Sequence, residues 1–312
     1  MQPIDLSRIQ TRPLGDRPNK VTLAGFAQPP RKGESFAEFF ASLPRILAGE
    51  DLLAVKDAIV TAHKKRRPVI LGVGAHVIKC GLSPVLIDLM ERGVVTCLAM
   101  TGSGAIHDFE IALIGATSED VAAGLKDGNF GMAQETGRLM HRAINRVLER
   151  PTAGMGLLLA EELREANAPH QQHSLLAASL RLGLPLTVHV ALGTDILHMH
   201  PTANGAAMGL ASFNDFRLLG GVVLELSGGV YVNLGSAVIL PEVFLKAFTM
   251  AQNLGAQLRD FVTVNMDMLS HYRARENVVH RPASVGGRGY TLLGRHEVMI
   301  PLLAQAIVEA LD

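Results

Sequence analysis

A chain of 312 residues, 48% of them hydrophobic, is long enough to bury one large α/β core. Its 29 Lys and Arg balance its 29 Asp and Glu, which removes the electrostatic grounds for a nucleic-acid or anionic-membrane partner. Two cysteines, Cys80 and Cys97, make neither a disulfide framework nor a metal knuckle. The opening residues lack a charged-then-apolar leader and no apolar run approaches spanning length, so the expectation is a soluble cytoplasmic protein that binds a small molecule.

Residues 1–32 hold Pro3, Pro13, Pro18, Pro29 and Pro30 among polar groups. That composition sustains neither helix nor core and reads as an arm, draped over a neighbouring subunit of a homo-oligomer. Ser35 and Glu38 form a capping box ahead of Phe36, Phe39, Phe40 and Leu43, so a short helix closes an N-terminal segment spanning residues 1–50. From residue 51 to 312 the pattern is one α/β domain of the dinucleotide-binding type. A helix over 51–65 ends in the basic run His63-Lys64-Lys65-Arg66-Arg67, which suits a helix C-terminus.

The stretch from Pro68 to Leu113 organises the rest. Val69, Ile70 and Leu71 run into Gly72 and Gly74; a periodic segment with Leu82, Val85, Leu86 and Leu89 follows; Val94 to Met100 then ends in Thr101-Gly102-Ser103-Gly104. Unbroken apolar runs are strands buried on both faces, and a helix between two of them is a parallel crossover. Further helices are expected over 118–124, 132–149, 156–166, 174–182, 204–226, 241–254 and 297–311, with strands at 186–190, 229–234 and 261–265. The fold class is α/β, a doubly wound, mostly parallel sheet with helices on both faces. Four strand ends (Gly72 to His76, Thr101 to Asp108, Gly193 to His200, Gly235-Ser236) should share the edge where ligands bind in such sheets.

Gly72 to Gly81, the segment Leu98-Ala99-Met100-Thr101-Gly102-Ser103-Gly104-Ala105-Ile106-His107-Asp108, and weaker matches at Thr194-Asp195, Asp215-Phe216-Arg217, Tyr231 to Ser236 and Asn265 resemble the deoxyhypusine synthases over about residues 50–300. The resemblance implies a doubly wound NAD-binding fold assembled as a tetramer with sites between subunits. Carried over by position, it implies cofactor contacts from Ala75 and His76 through Lys79, from Thr101, Gly102 and Ser103, and from Asp195, Gly235, Ser236 and Met266-Asp267, beside the Gly72 and Gly74 turn. NAD and NADP both remain open, because no acidic residue stands at a ribose position after the first turn.

The departures from that pattern bear on substrate. The family's two adjacent carboxylates are Ile106 and His107 here, so a polyamine loses its counter-ions. No histidine lies between His200 and His271, and Lys246 is the only candidate, placed early, for the family's imine-forming lysine. The expectation is a retained fold and cofactor with a changed substrate.

His107, His198 and His200, with Asp108 and Asp195 beside them, are expected to converge. Residues two apart on an extended segment point the same way, and such imidazoles suit acid–base work in a hydride transfer. His107, Asp108, His198 and His200 are therefore the catalytic candidates. No metal is assigned, although three histidines and a carboxylate also suit zinc. Arg281, Arg288, Arg295 and His296, among glycines and at a helix start, suit a phosphate or carboxylate, so a small anionic substrate is expected. The alternative is a nucleotide- or metabolite-binding protein without catalysis.

Overall fold

The computed structural model describes residues 2–311. The arm carries three short 3-10 turns (Leu6–Arg8, Leu14–Asp16, Leu23–Gly25) with no buried residue in any of them. Helix α1 (Phe36–Ala41) opens on the expected box: the Ser35 backbone N–H and hydroxyl both donate to Glu38, and the Glu38 N–H donates to Ser35 Oγ. Helix α2 (Leu47–Lys64) then leads into β1 (Val69–Val73).

Six strands follow: β1, β2 (Cys97–Thr101), β3 (Leu186–His189), β4 (Val230–Leu234), β5 (Val262–Asp267) and β6 (Arg288–Leu293). All pair in parallel, in the order β3-β2-β1-β4-β5-β6. The order reverses between β1 and β4, which makes that pair the switch point of a doubly wound sheet. Alternate strand residues feed opposite faces. Val69, Leu71 and Val73 join Leu98, Met100 and Val232 in one core, whereas Ile70 joins Cys97, Ala99 and Tyr231 in the other.

The connecting helices are α3 (Ala75–Lys79), α4 (Ser83–Glu91), α5 (Gly102–Ile114), α6 (Val121–Lys126), α7 (Gln134–Asn145), α8 (Met155–Glu165), α9 (Leu175–Leu182), α10 (Gly205–Val223) and α11 (Ile239–Asn253). Short α12 (Tyr272–Ala274) and α13 (Arg281–Ala283) flank a π-helical segment, Arg275–His280, and α14 (His296–Val308) closes the chain. Helices α10 and α11 cover the Tyr231 face, where Tyr231 stacks on Phe244 with ring centroids 3.8 Å apart. Helices α2, α4, α5 and α14 cover the other. Among the described residues, no helix is long and apolar enough to cross a membrane.

Two local expectations are corrected. Thr101-Gly102-Ser103-Gly104, whose glycines suggest a turn after the strand, passes directly from β2 into α5, with the Thr101 hydroxyl capping the helix by accepting from the Gly104 N–H at 3.0 Å. Residues 288–293, to which the sequence assigned no strand, form the edge strand β6. Gly289 is needed there, since a Cβ would sit 2.4 Å from the Val279 carbonyl oxygen.

Candidate active site

At the carboxyl ends of β1 to β3 lies a cleft of about 730 Å³, within the roughly 300–1,000 Å³ span of small-molecule sites. Its lining includes Lys79 of α3, Ser103 and His107 of α5, and Asp195 after β3. Phe130, Thr136 and Leu139 face them from around α7.

His107 carries the clearest chemistry. Thr117 Oγ1 donates to Glu110 Oε2 at 2.5 Å, and Thr136 Oγ1 donates to Glu110 Oε1 at 3.0 Å. With its proton given to Glu110, the Thr117 hydroxyl must accept at its 2.6 Å contact with His107 Nδ1. That fixes the Nδ1–H tautomer and leaves the lone pair on Nε2. Burial, and then the Lys79 charge, push the imidazole down to about 4, so the ring is neutral at physiological pH and able to accept a proton.

Asp195 is 8% exposed and lies against the start of α5: a Cβ on Gly102 would be 2.1 Å from its Oδ2. Burial raises its carboxyl above the usual range. Its Oδ2 is buried with no hydrogen-bond partner among the described residues, which leaves an acceptor waiting for a donor. Glu110, Glu119 and Glu135 also line the cleft. Four carboxylates therefore face one lysine and a neutral imidazole.

The other catalytic candidates do not join His107 in the lining. Asp108 is fully buried and spent on α9: it accepts from Ser174 Oγ (2.6 Å), Leu175 N (2.8 Å) and Leu176 N (3.0 Å). His198 Nδ1 accepts from the backbone N–H groups of Gly193 (3.2 Å) and Asp195 (3.1 Å), so it shapes the loop that holds Asp195. His200 turns away to donate from Nε2 to the Gly131 carbonyl at 2.8 Å, edge-on to His141 at 6.0 Å. The physical reason is that Ile196–Met199 is a 3-10 turn and not extended chain, so residues two apart diverge. His107, His198 and His200 form no metal-ligand cluster among the described residues. Lys246 is exposed and paired with Glu242 on α11, outside the cleft.

The cofactor candidates fall into two groups. Thr101, Gly102, Ser103 and Asp195 stand together at the cleft, where the Thr101 hydroxyl lies 3.1 Å from that of Ser103. Gly74, Ala75, His76, Gly235 and Ser236 stand at the switch point. There the backbones close on each other: Gly74 N donates to Leu234 O at 2.8 Å, and a Cβ on Gly74 would be 2.3 Å from Gly235 O. Gly235 has φ +66, with the His296 imidazole packed over it. Gly72 lies inside β1, where a Cβ would meet the Tyr231 hydroxyl at 2.6 Å, so it serves packing. Ser236 Oγ accepts from Leu240 N at 3.1 Å, at the start of α11. Asp267 ends β5 with Oδ1 accepting from Met268 N at 2.6 Å.

The arginine cluster is dispersed. Arg288 is the first residue of β6 and pairs with Val262, the first of β5, so it sits at the amino edge of the sheet, opposite the cleft. Arg281, on the helix leading into that edge, donates to Asn277. Arg295 and His296 lie at the carboxyl edge after β6, Arg295 exposed and His296 buried with Nε2 donating to Met266 O at 3.2 Å. The expected convergence of guanidiniums on an anion does not occur.

No family model matches the sequence, and no curated protein matches it. Solved structures do match the fold. Unliganded AgrE aligns with a TM-score of 0.53 at 14% identity over 86% of this chain and 34% of that one. AgrE in complex with ornithine and NAD+ aligns at 0.51 and 13%, with the same coverage. A protein of Entamoeba histolytica assigned as a deoxyhypusine synthase aligns at 0.50 and 13% over 89% of this chain and 94% of its own. This chain spans about a third of AgrE. The doubly wound parallel sheet is the fold of these deoxyhypusine synthase-like structures, as the resemblance in sequence implied.

Proposed function

We propose that the protein is an NAD-dependent enzyme that transfers a hydride between the cofactor and a small substrate bearing an amine. The observation that carries this reading is the cleft lining: Glu110, Glu119, Glu135 and Asp195 against Lys79, with His107 neutral. Such a field attracts a cation and repels a phosphate or carboxylate. The anionic substrate expected from Arg281, Arg288, Arg295 and His296 is set aside, because none of the four lines the cleft and Arg288 stands at the opposite edge of the sheet.

The unpartnered Asp195 Oδ2 fits a ribose hydroxyl as donor, and its charge would repel the 2′-phosphate of NADP, which favours NAD. NAD, when bound, supplies the hydride acceptor. The chain's own part is to hold the amine among carboxylates and to take a proton at His107 Nε2. Glu110 and Thr117 fix the ring, and burial, with the Lys79 charge after it, keeps it unprotonated. AgrE, of the same fold, was solved with ornithine and NAD+, which supports both halves of the reading. The same reading takes the arm, with Ile4, Leu6, Leu14 and Leu23 exposed, as a cover for a neighbouring copy in a tetramer.

Calorimetry with NAD and NADP, followed by a screen of diamines, amino acids, hydroxy acids and sugar phosphates for NADH formation, tests it. NAD binding that weakens in Asp195→Asn, with turnover confined to amines and lost in His107→Gln, is the expected result. No heat with either nucleotide, or turnover of anionic substrates alone, would overturn it.

A further inference from the structure

A second cluster of reactive side chains lies outside the cleft. His76 and Cys80 sit one helical turn apart at α3, where the Cys80 N–H donates to the His76 carbonyl at 2.9 Å, so their side chains share a face. Glu297, in the first turn of α14, meets them there, and Cys80 Sγ lies 3.8 Å from Glu297 Oε2. One donor atom from each of the three falls within 4.8 Å of the others. None of the three lines the cleft.

We infer that His76, Cys80 and Glu297 bind a divalent transition metal of the zinc type, with a fourth coordination position left open. Donor chemistry selects the ion. An imidazole, a thiolate and a carboxylate together suit zinc, cobalt or ferrous iron, whereas magnesium and calcium require oxygen donors almost exclusively. Geometry allows it. Bonds of roughly 2.0–2.3 Å in a tetrahedron put ligand atoms about 3.3–3.8 Å apart. The sulfur–oxygen separation is already at that value, and the remaining contraction is about 1 Å, within the reach of side-chain rotation. Three protein ligands with a vacant position are the arrangement of reactive zinc sites, in contrast to closed four-ligand structural ones.

The neighbourhood supports the assignment independently. His296, 1% exposed, stands 5.4 Å ring to ring from His76, and its Nδ1 has no partner among the described residues. Its free Nδ1 leaves an acceptor beside the cluster that a ring N–H of a metal-bound His76 can use. The cluster also joins elements far apart in the chain. α3 leaves the carboxyl end of β1, and α14 follows β6, three strands away in the sheet. A metal there would tie α14 to α3 beside the switch point. Binding the ion replaces the Cys80 S–H bond with a sulfur–metal bond and releases that proton to solvent, with no change of oxidation state.

The test uses tag-free full-length protein, stripped with a chelator and titrated with Co2+. A sulfur-to-cobalt charge-transfer band that saturates at a single equivalent and disappears on adding Zn2+ is expected. Excess Mg2+ should leave it unchanged. Cys80→Ser should abolish the band, and His76→Gln and Glu297→Gln should each weaken binding by about tenfold or more. Glu297 is exposed, so the metal-free melting temperature of Glu297→Gln should match the parent and separate lost ligation from lost folding. No thiolate band in the parent, a band that persists in Cys80→Ser through Cys97, or unchanged affinity in the other two variants would overturn the site. None of these readouts depends on NAD or on turnover.

Discussion

A substitution at Asp108 separates a catalytic carboxylate from a structural one. The side chain is fully buried, and its three donors are the Ser174 hydroxyl and the N–H groups of Leu175 and Leu176. Burial lifts its carboxyl from 3.8 to about 6, against the lowering effect of those bonds. Above that value the group is a carboxylate holding the start of α9. Asp108→Ala leaves two amides and a hydroxyl short of their acceptor in a dry interior, at about 1–3 kcal/mol each, and partial relaxation brings the expected loss to about 3–5 kcal/mol. The pH signature is distinct. Between 3.8 and about 6 the native state keeps a proton that the unfolded chain has released. Stability from this group therefore falls as pH rises through that window, by roughly 3 kcal/mol in all. Asp108→Asn cannot titrate and should lack that slope. Urea unfolding of parent, Ala and Asn variants from pH 4 to 7.5, with NAD calorimetry on the folded fraction, measures both effects. An Ala variant within about 0.5 kcal/mol of the parent that has lost turnover would refute the structural role.

Three further expectations follow from the same coordinates. Lys79→Met removes the cation that, after burial, holds His107 down at about 4. The imidazole should then titrate nearer neutrality by NMR, with the acid limb of the rate profile moving up in step; no movement would remove Lys79 from the account. Gly74→Ala drives a Cβ to 2.3 Å from the Gly235 carbonyl oxygen, and it should cost about 2–3 kcal/mol in urea unfolding, since backbone on both sides must give way. Deleting residues 1–32 exposes whatever surface the arm covers in an assembly. Light scattering should show a smaller species, and an unchanged mass would argue that the arm is free.

Burial on both faces made the interior of the fold readable. Residues 69–71 and 230–232 are apolar without alternation because a core lies above and below them, and no loop or amphipathic helix produces that pattern. The start of α5 was less readable, because Gly102 and Gly104 resemble a turn until the Asp195 carboxylate is seen packed against Gly102. That contact comes from 93 positions away, and nothing local encodes it. His107 was readable as a residue of the ligand edge, and it does line the cleft, but the Thr117 and Glu110 partners that set its tautomer were not readable. His198 and His200 do not join His107 in the cleft lining for a local reason, the 3-10 turn in place of extended chain.

The substrate's charge turned on a single missed strand. With no strand assigned between 281 and 296, Arg281, Arg288, Arg295 and His296 cluster by default among glycines, and an anion is the natural ligand. As β6, five rises of about 3.3 Å separate Arg288 from the far end of the strand, about 16 Å away. In a parallel sheet one end faces the ligand edge and the other faces away. Arg288 goes with the amino end and Arg295 with the carboxyl end, so one guanidinium pair is divided between opposite edges. The carboxylates moved the other way. Glu110, Glu119 and Glu135 belong to no motif, yet α5, α7 and the segment before α6 bring them to one cleft with Asp195. Net charge cannot separate these outcomes when 29 cations balance 29 anions. The placement of an edge strand decides which of the two signs the ligand meets.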